Sequence, residues 1–482
     1  MVTPFTFPAV VPAGLVPREL QEVPHLRERE LLSPKIKKGL RRIGSGLLLL
    51  LLAVVAWQAW LYVDDARYHG ARVPYLQMQG PDAITLRWQS DEPVRGVVRY
   101  GTRAGSLDML AEESSPGEVH DIRLTGLTPD TRYWYAVGSP EEIAYGGTEY
   151  WFRTAPLPGS QRPLRIWVQG DPGRALPTTL AGRDAVLNWI KEHPRPGLPA
   201  LDLWFTTGDN AYRYGRNSEF QKHLFDAYPG LLRNVPYWPV HGNHDARRWA
   251  FYNIFSFPEK AEAGGVPSDD KHFFSFDYGQ VHFVFLDSHS SDRTRDGDML
   301  GWLKRDLAAT HQPWLIALFH HPPYSKGSHD SDDPGDSHRR MIEMREHALP
   351  ILEAAGVDLV LSGHSHVYER SYLLDCHYGS SDSLKPSMFV DKGMGNEPPY
   401  RKPSGLTPHA GAVYSVVGSS AHADKGPLNH PVMAVAKREL GSLLLDIDGN
   451  ALEARFITPG GEVLDHYRII KGGEAGGPRR CE

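Results

Sequence analysis

Between residues 165 and 362 the chain returns six times to a short, almost wholly apolar run: RIWVQ, LDLWFTT, YWPVH, VHFVFLD, WLIALF and VDLVLS. Runs of this length, rich in β-branched and aromatic residues, are the signature of strands buried on both faces. Segments with helical spacing lie among them, at Thr178–His193, Asp298–Thr310 and Arg339–Ala355; the second carries Met299, Trp302, Leu303 and Leu307 on one face. The pattern predicts an α/β fold of layered β-sheets flanked by helices. It also limits where chemistry can sit, because ligands in such folds gather beyond the carboxyl ends of strands.

Five of the six runs lead directly into a polar block: Gly170-Asp171-Pro172-Gly173, Gly208-Asp209-Asn210-Ala211-Tyr212, Gly242-Asn243-His244-Asp245, His320-His321-Pro322 and Gly363-His364-Ser365-His366. Each alone has an ordinary reading. An Asp after a strand is commonly a turn or cap residue, an Asn an Asx turn, a Tyr near a helix start a packing residue. Five at equivalent positions point instead to one shared site. Two cations about 3.5–4 Å apart can clamp a phosphoester and ionise water near neutral pH. Such a pair needs a bridging carboxylate, hard oxygens for the more charged ion and imidazoles for the borderline one. Asp209 suits the bridge and Asp171 one ion; Asn243 offers a neutral carbonyl oxygen, and His320, His364 and His366 offer nitrogens. His364 and His366 can face different ions only if the backbone turns between them, and Gly363 is expected to permit that turn.

These blocks resemble those of the calcineurin-like metallophosphoesterase superfamily and, within it, of the purple acid phosphatases. In most of that superfamily the first block is Asp-x-His; here Gly173 stands in the place of the histidine. The second block ends in Tyr212, as in the GDxxY motif of purple acid phosphatases, so one metal exchanges an imidazole for a phenol. The resemblance implies Fe(III) held by Asp171, Asp209, Tyr212 and His366, with a visible charge-transfer band. It implies a divalent partner, Zn, Fe or Mn, held by Asp209, Asn243, His320 and His364. It also implies that His244 contacts phosphate and that His329, nine residues after His320, is an outer histidine able to protonate the leaving group. Plant members carry a second histidine directly after that one, where this chain has Asp330. The loop from Ser325 to Ser337 is polar and expected to be mobile. Asp245 is expected to orient a neighbour. His241 and His321 are read as spacers, and His25, His193, His311 and His422 as surface or packing residues. Because Fe(III) is the stronger Lewis acid, an acidic optimum is expected.

Residues 73–155 read as an all-β sandwich, with ITLRWQS, GVVRYG, HDIRLTGL, RYWYAVG and YWFRT separated by Gly/Pro/Asp turns. The stretch Leu124–Tyr135 resembles the E–F region of fibronectin type III-like domains, where a Tyr packs the corner. Pro74-Tyr75-Leu76-Gln77 resembles the opening of the sandwich that precedes the catalytic domain in purple acid phosphatases. A support or interaction role is expected of it. The catalytic domain is placed at 163–471, closed by a β segment at 404–471, with a disordered tail at 472–482.

Ile43–Val63 is 21 residues without a charge, about the length a helix needs to cross hydrocarbon. Lys35, Lys37, Lys38, Arg41 and Arg42 precede it, which predicts a cytosolic tail at 1–42 and a single-pass anchor at 43–63 with the catalytic part outside the cytoplasm, periplasmic or extracellular. Trp57, Trp60 and Tyr62 suit the exit interface. The alternative is a cleaved export signal, with Val54 and Ala56 at the small-residue positions. Six prolines between Pro4 and Pro34 predict a tail without a long helix. The first 45 residues hold a surplus of four positive charges, which leaves the rest near −10 of the total −6 and argues against nucleic acid as a partner. Cys376 and Cys481 are too few for a disulfide framework or a zinc cluster, and two unpaired thiols are expected. The combined expectation is an exported, membrane-anchored phosphatase in which metal-held hydroxide attacks small phosphate monoesters. A phosphodiesterase or nucleotidase of the same superfamily, or a non-catalytic adhesion or receptor ectodomain, are the alternatives.

Overall fold

The computed structural model describes residues 33–66, 68, 70–472 and 481. A helix of 33 residues runs from Pro34 to Ala66. Pro34 opens it at a position where a missing N–H leaves no intrahelical bond unmade. The helix includes the basic residues expected to precede it, so residues 34–42 are not part of an unstructured tail. What remains of the expected N-terminal tail lies outside the described residues. Lys35–Val63 is long and apolar enough to cross a membrane, with a mean hydropathy of 2.1.

Residues 72–153 form a sandwich of two antiparallel sheets. Arg72–Gln77, Ile84–Val94 and Gly117–Leu124 make one. Met109–Glu112, Val97–Gly101, Arg132–Gly138 and Ile143–Tyr145 make the other, with Trp151–Arg153 also paired to Arg132–Gly138. Leu86, Trp88, Val98, Tyr135, Val137 and Phe152 fill the space between them. The Thr128 N–H donates to the Tyr133 hydroxyl (2.9 Å), a tyrosine corner at the expected place. Arg87 ties the sandwich to the neighbouring domain by donating to Ser256 Oγ (2.7 Å) and the Asn253 carbonyl (2.8 Å). Tyr135 adds a bond from its hydroxyl to the Arg233 carbonyl (2.8 Å).

That domain is built on two seven-stranded sheets. One orders Tyr237–Pro239, Leu203–Thr206, Leu164–Gln169, Ser442–Asp448, Ala451–Ile457, Val463–Lys471 and Tyr400–Lys402. The other orders Phe274–Tyr278, Val281–Phe285, Trp314–Leu318, Leu359–Ser362, Val413–Val417, Tyr368–Ser371 and Met433–Lys437. The segment at 404–471 thus completes both sheets. Trp204, Phe205, Phe276, Phe285, Ile316 and Leu445 belong to the core between the sheets. Met299, Trp302 and Leu303, from the helix Asp298–Ala309, pack with Leu315, Leu349 and Val360 in a second core. The expected helix at 339–355 is present as Arg340–Glu343 and Leu349–Ala354, joined by a wider π-helical turn at Met344–Ala348. Buried Asp358 pairs with both Lys402 and Lys471, each at 2.7 Å, joining the two sheets by charge.

The two cysteines are bonded to each other, contrary to the expectation of free thiols. A disulfide joins Cys376 and Cys481 across 105 residues. Reduction, or Cys481→Ser, should lower unfolding stability by about 2–4 kcal/mol, read by urea denaturation. A second prediction concerns buried His282, whose ring nitrogens each lie 2.8 Å from a carboxylate oxygen, of Asp277 and of Asp306. Burial pulls its pKa down, but those two bonds outweigh it and raise it to about 9. A base held above its unfolded value contributes stability that is complete below about pH 6.5 and lost as pH rises through about 9. Urea titrations of His282→Gln should lack that fall.

Candidate metal centre

Asp171 follows Leu164–Gln169, Asp209 follows Leu203–Thr206, and Asn243 follows Tyr237–Pro239, three mutually parallel neighbours of one sheet. His320 and His364 follow Trp314–Leu318 and Leu359–Ser362, parallel neighbours of the other. All seven residues predicted to bind metal therefore lie where the carboxyl ends of the two sheets meet. Asp171 and Asp209 are 0 % and 1 % exposed. Their neighbours sit too close for side chains at several glycines. Gly208 has φ +104°, and a Cβ on it would collide with the His320 ring. At Gly363 a Cβ would collide with Asp171, but the expected turn is not made there: His364 itself adopts φ +66° and sends its ring away from that of His366.

The donors form two groups sharing Asp209. In the first, the Tyr212 phenol oxygen lies 3.1 Å from Asp171 Oδ1, 3.0 Å from Asp209 Oδ2 and 3.2 Å from His366 Nε2. In the second, Asn243 Oδ1 lies 2.9 Å from His320 Nε2 and 3.0 Å from His364 Nδ1, while His320 Nε2 is 3.5 Å from Asp209 Oδ1. Outer contacts aim the rings. His320 Nδ1 lies 2.8 Å from the Thr207 carbonyl, which leaves Nε2 as the acceptor facing inward. His366 Nδ1 lies 2.6 Å from Asp424 Oδ2, and His364 Nε2 lies 2.6 Å from Ser337 Oγ. Asp245, fully buried, accepts from the N–H groups of Asn210 (3.0 Å) and Gly242 (3.0 Å) and so locks the second block to the third.

Electrostatics here favour cations. Burial pushes Tyr212 well above the usual phenol range, and Asp171 and Asp209 push further in the same direction. Burial would raise Asp209 too, but His320 and His244 outweigh it and bring the carboxyl below its ordinary value. Burial and the neighbouring rings of His321, His329 and His320 drive His364 far below its ordinary value, so it is a neutral donor. Burial opposes the charge on His366, yet Asp171 and Asp424 raise it to about 9. Neutral imidazoles with inward lone pairs beside buried carboxylates are a donor set suited to metal ions.

The His244 N–H donates to Asp209 Oδ1 (2.8 Å), and Nδ1 lies 2.8 Å from the Arg213 carbonyl. His329 stacks on the His364 ring with centroids 3.9 Å apart, and its Nδ1 lies 2.9 Å from Asp336 Oδ1. The loop carrying it is internally bonded, contrary to expectation: Ser325 and Ser331 are buried, and Lys326 bridges Asp330 (2.6 Å) and Asp332 (3.1 Å). His321, read as a spacer, forms part of the wall beside His364, with ring centroids 4.4 Å apart. His422, read as an ordinary packing residue, lies against His366 at 3.8 Å. Asp424, His422 and Ser337 follow no strand-and-turn signal that would mark them as site residues.

The calcineurin-like phosphoesterase family profile matches residues 164–368, and that of the purple acid phosphatase N-terminal domain matches residues 72–154. The chain thus carries a calcineurin-like phosphoesterase domain and, before it, a purple acid phosphatase N-terminal domain. Within the class its relatives are purple acid phosphatases. Purple acid phosphatase 15 of Arabidopsis thaliana is 30 % identical over 323 residues, 58 % of this chain and 57 % of the relative. Probable purple acid phosphatase 20 of the same plant is 25 % identical over 318 residues, 61 % of this chain and 68 % of the relative. The match therefore spans little more than half the length of the first of these. In fold, a purple acid phosphatase from yellow lupin (Lupinus luteus) seeds superposes with a TM-score of 0.65 at 20 % identity, covering 84 % of this chain and 75 % of that one. PhoD superposes at 0.56 with 13 % identity, over 80 % and 86 %.

Asp424 gives the prediction of this section. Removing its charge with Asp424→Asn should weaken metal binding about 10–100-fold, the usual effect of losing a partner that orients a ligand, as read by metal titration with calorimetry. His422→Ala, which leaves the His366–Asp424 bond intact, should cost less.

Proposed function

We propose that this protein is an exported phosphoric monoester hydrolase with two metal ions. Asp171, Asp209, Tyr212 and His366 would hold Fe(III); Asp209, Asn243, His320 and His364 would hold a divalent ion, Zn, Fe or Mn. The observation that carries the reading is the convergence of seven donors into two groups joined by one carboxylate. A phenolate is a hard anionic ligand, which favours the trivalent ion. When bound, two such ions supply Lewis-acid stabilisation of a phosphoryl group and lower the pKa of water.

The chain's own residues do the rest. The Arg213 carbonyl fixes the His244 ring through Nδ1–H and turns Nε2 inward, 3.9 Å from Asp209 Oδ2, where only the protonated ring donates to a phosphate oxygen. Asp336 fixes His329 through Nδ1, which leaves Nε2–H to protonate the departing alkoxide. The stacked His364 ring keeps His329 at the edge of the metal ligands. A cavity of about 410 Å³ opens beside Asn243, His329 and His364 and gives the ester its place. The apolar helix, with basic residues at its start, supports anchorage with this domain outside the cytoplasm. The disulfide fits an oxidising compartment.

The purified protein should contain two metal ions, absorb visible light and hydrolyse p-nitrophenyl phosphate. Tyr212→Phe should abolish the band. His329→Ala should lower kcat by about 10²–10⁴ for an alkyl phosphate, whose leaving group needs a proton, and less for the nitrophenyl ester. A colourless protein with two divalent ions would refute the iron assignment, and absence of turnover by the metal-loaded protein would refute the phosphatase itself.

A further inference from the structure

The cavity beside the metal ligands is strongly one-signed. Asn243 and His364 form one side; Arg247, His289, His338 and Arg340 lie on others. Asp336 is the one carboxylate lining it, and its oxygens are already engaged by His329, Ser337 and the Asp330 N–H. Both guanidinium groups are positioned by neutral carbonyls. Arg340 donates to His289 (3.2 Å) and Ser337 (3.1 Å), and Arg247 donates to Arg213 (3.1 Å). Neither makes an ion pair among the described residues, although Asp287 and Glu343 act on Arg340 through space.

The rim is also built into an unusual backbone. Ser337, His338 and Arg339 have φ of 50°, 53° and 65°, three consecutive non-glycine residues in the left-handed region. Each such residue costs on the order of 1–3 kcal/mol and persists only where surrounding contacts hold it. Here the contacts are Asp336, bonded on both oxygens, and Ser337, bonded to His364. The strained turn sets Arg340 at the cavity wall rather than in open solvent.

Resting on the phosphatase reading, we infer that this cavity binds a second phosphate group of the substrate, with Arg247 and Arg340 as its specificity-determining residues, so that the preferred esters are small molecules carrying two phosphates. The cavity volume, about 410 Å³, falls in the range that takes a whole small molecule (about 300–1,000 Å³) rather than one phosphoryl group. Guanidinium groups match phosphate oxygens in geometry as well as charge. An alkyl phosphate with an uncharged chain would leave both of them without a second anion.

The test compares butane-1,4-diyl bisphosphate with butyl phosphate, both of which release a primary alkoxide, on the metal-loaded full-length protein. The wild type should show kcat/KM at least about tenfold higher for the bisphosphate after the statistical factor of two, the worth of one charge-assisted hydrogen bond. The ratio should fall toward one in Arg247→Ala with Arg340→Ala, and Arg340→Lys should keep part of it. If both esters turn over and the ratio is near one in the wild type, or unchanged in the double variant, the second-phosphate site is overturned while the phosphatase stands. If neither ester turns over, the phosphatase reading fails and takes this inference with it.

Discussion

Two carboxylates, Asp171 and Asp209, are taken almost completely out of water, and the rest of the site answers that constraint. Burying an ion costs several kcal/mol unless charge and hydrogen bonds are returned to it. Backbone N–H groups return part: His364 N donates to Asp171 (2.8 Å) and His244 N to Asp209 (2.8 Å). His366 returns part of the rest, but two other rings cannot do so as imidazolium ions: His364 and His321 are both driven far below their ordinary values, with burial as the largest cause and neighbouring rings next. A cluster that is acidic at its centre and holds these two rings neutral is suited to metal cations.

Each donor group draws on both sheets. Asp171, Asp209 and Asn243 extend from one, His320, His364 and His366 from the other. How closely the donors within each group approach is therefore set by what lies between the sheets. Phe205 meets Phe283 and Phe285 edge-on at 5.1 and 5.4 Å, and Trp238 stacks on Phe276 at 4.0 Å. These rings touch no ligand, yet they fix how closely the strand ends approach. A core truncation there acts on the site by letting the sheets settle together, a small movement to which two-metal geometry is sensitive.

Much of this was legible because strand, turn and ligand are contiguous in sequence. An apolar run marks a buried strand, a glycine its tight exit, and the next polar residue the position at the sheet's end. Residues reaching the site from elsewhere carry no such mark. Asp424 and His422 come from a loop after Val413–Val417, and Ser337 from a turn whose left-handed backbone no composition announces. The fold organised what composition suggested was loose: the Ser325–Ser337 loop is knitted by its own Ser, Lys and Asp side chains. Cys481 illustrates the same limit, since a Gly/Arg-rich approach says nothing of a covalent bond 105 residues back.

The presence of a tyrosine rather than a histidine among the candidate ligands follows from steric coupling between two blocks. Gly173 N donates to the Asp209 carbonyl (3.1 Å), and Tyr212 N donates to the Gly173 carbonyl (2.9 Å), so the turn after Asp209 closes directly onto Gly173. A Cβ at residue 173 would stand 2.6 Å from both the Ala211 nitrogen and the Asp209 oxygen. No side chain fits there, histidine included, while the backbone stays in this arrangement. The same closure delivers the phenol oxygen of Tyr212 into the gap between Asp171 and Asp209. A histidine at 173 and a tyrosine at 212 are thus alternatives that one backbone cannot satisfy together. Restoring the imidazole at 173 alone would open the turn and withdraw the phenol, leaving the first donor group incomplete rather than exchanging one ligand for another.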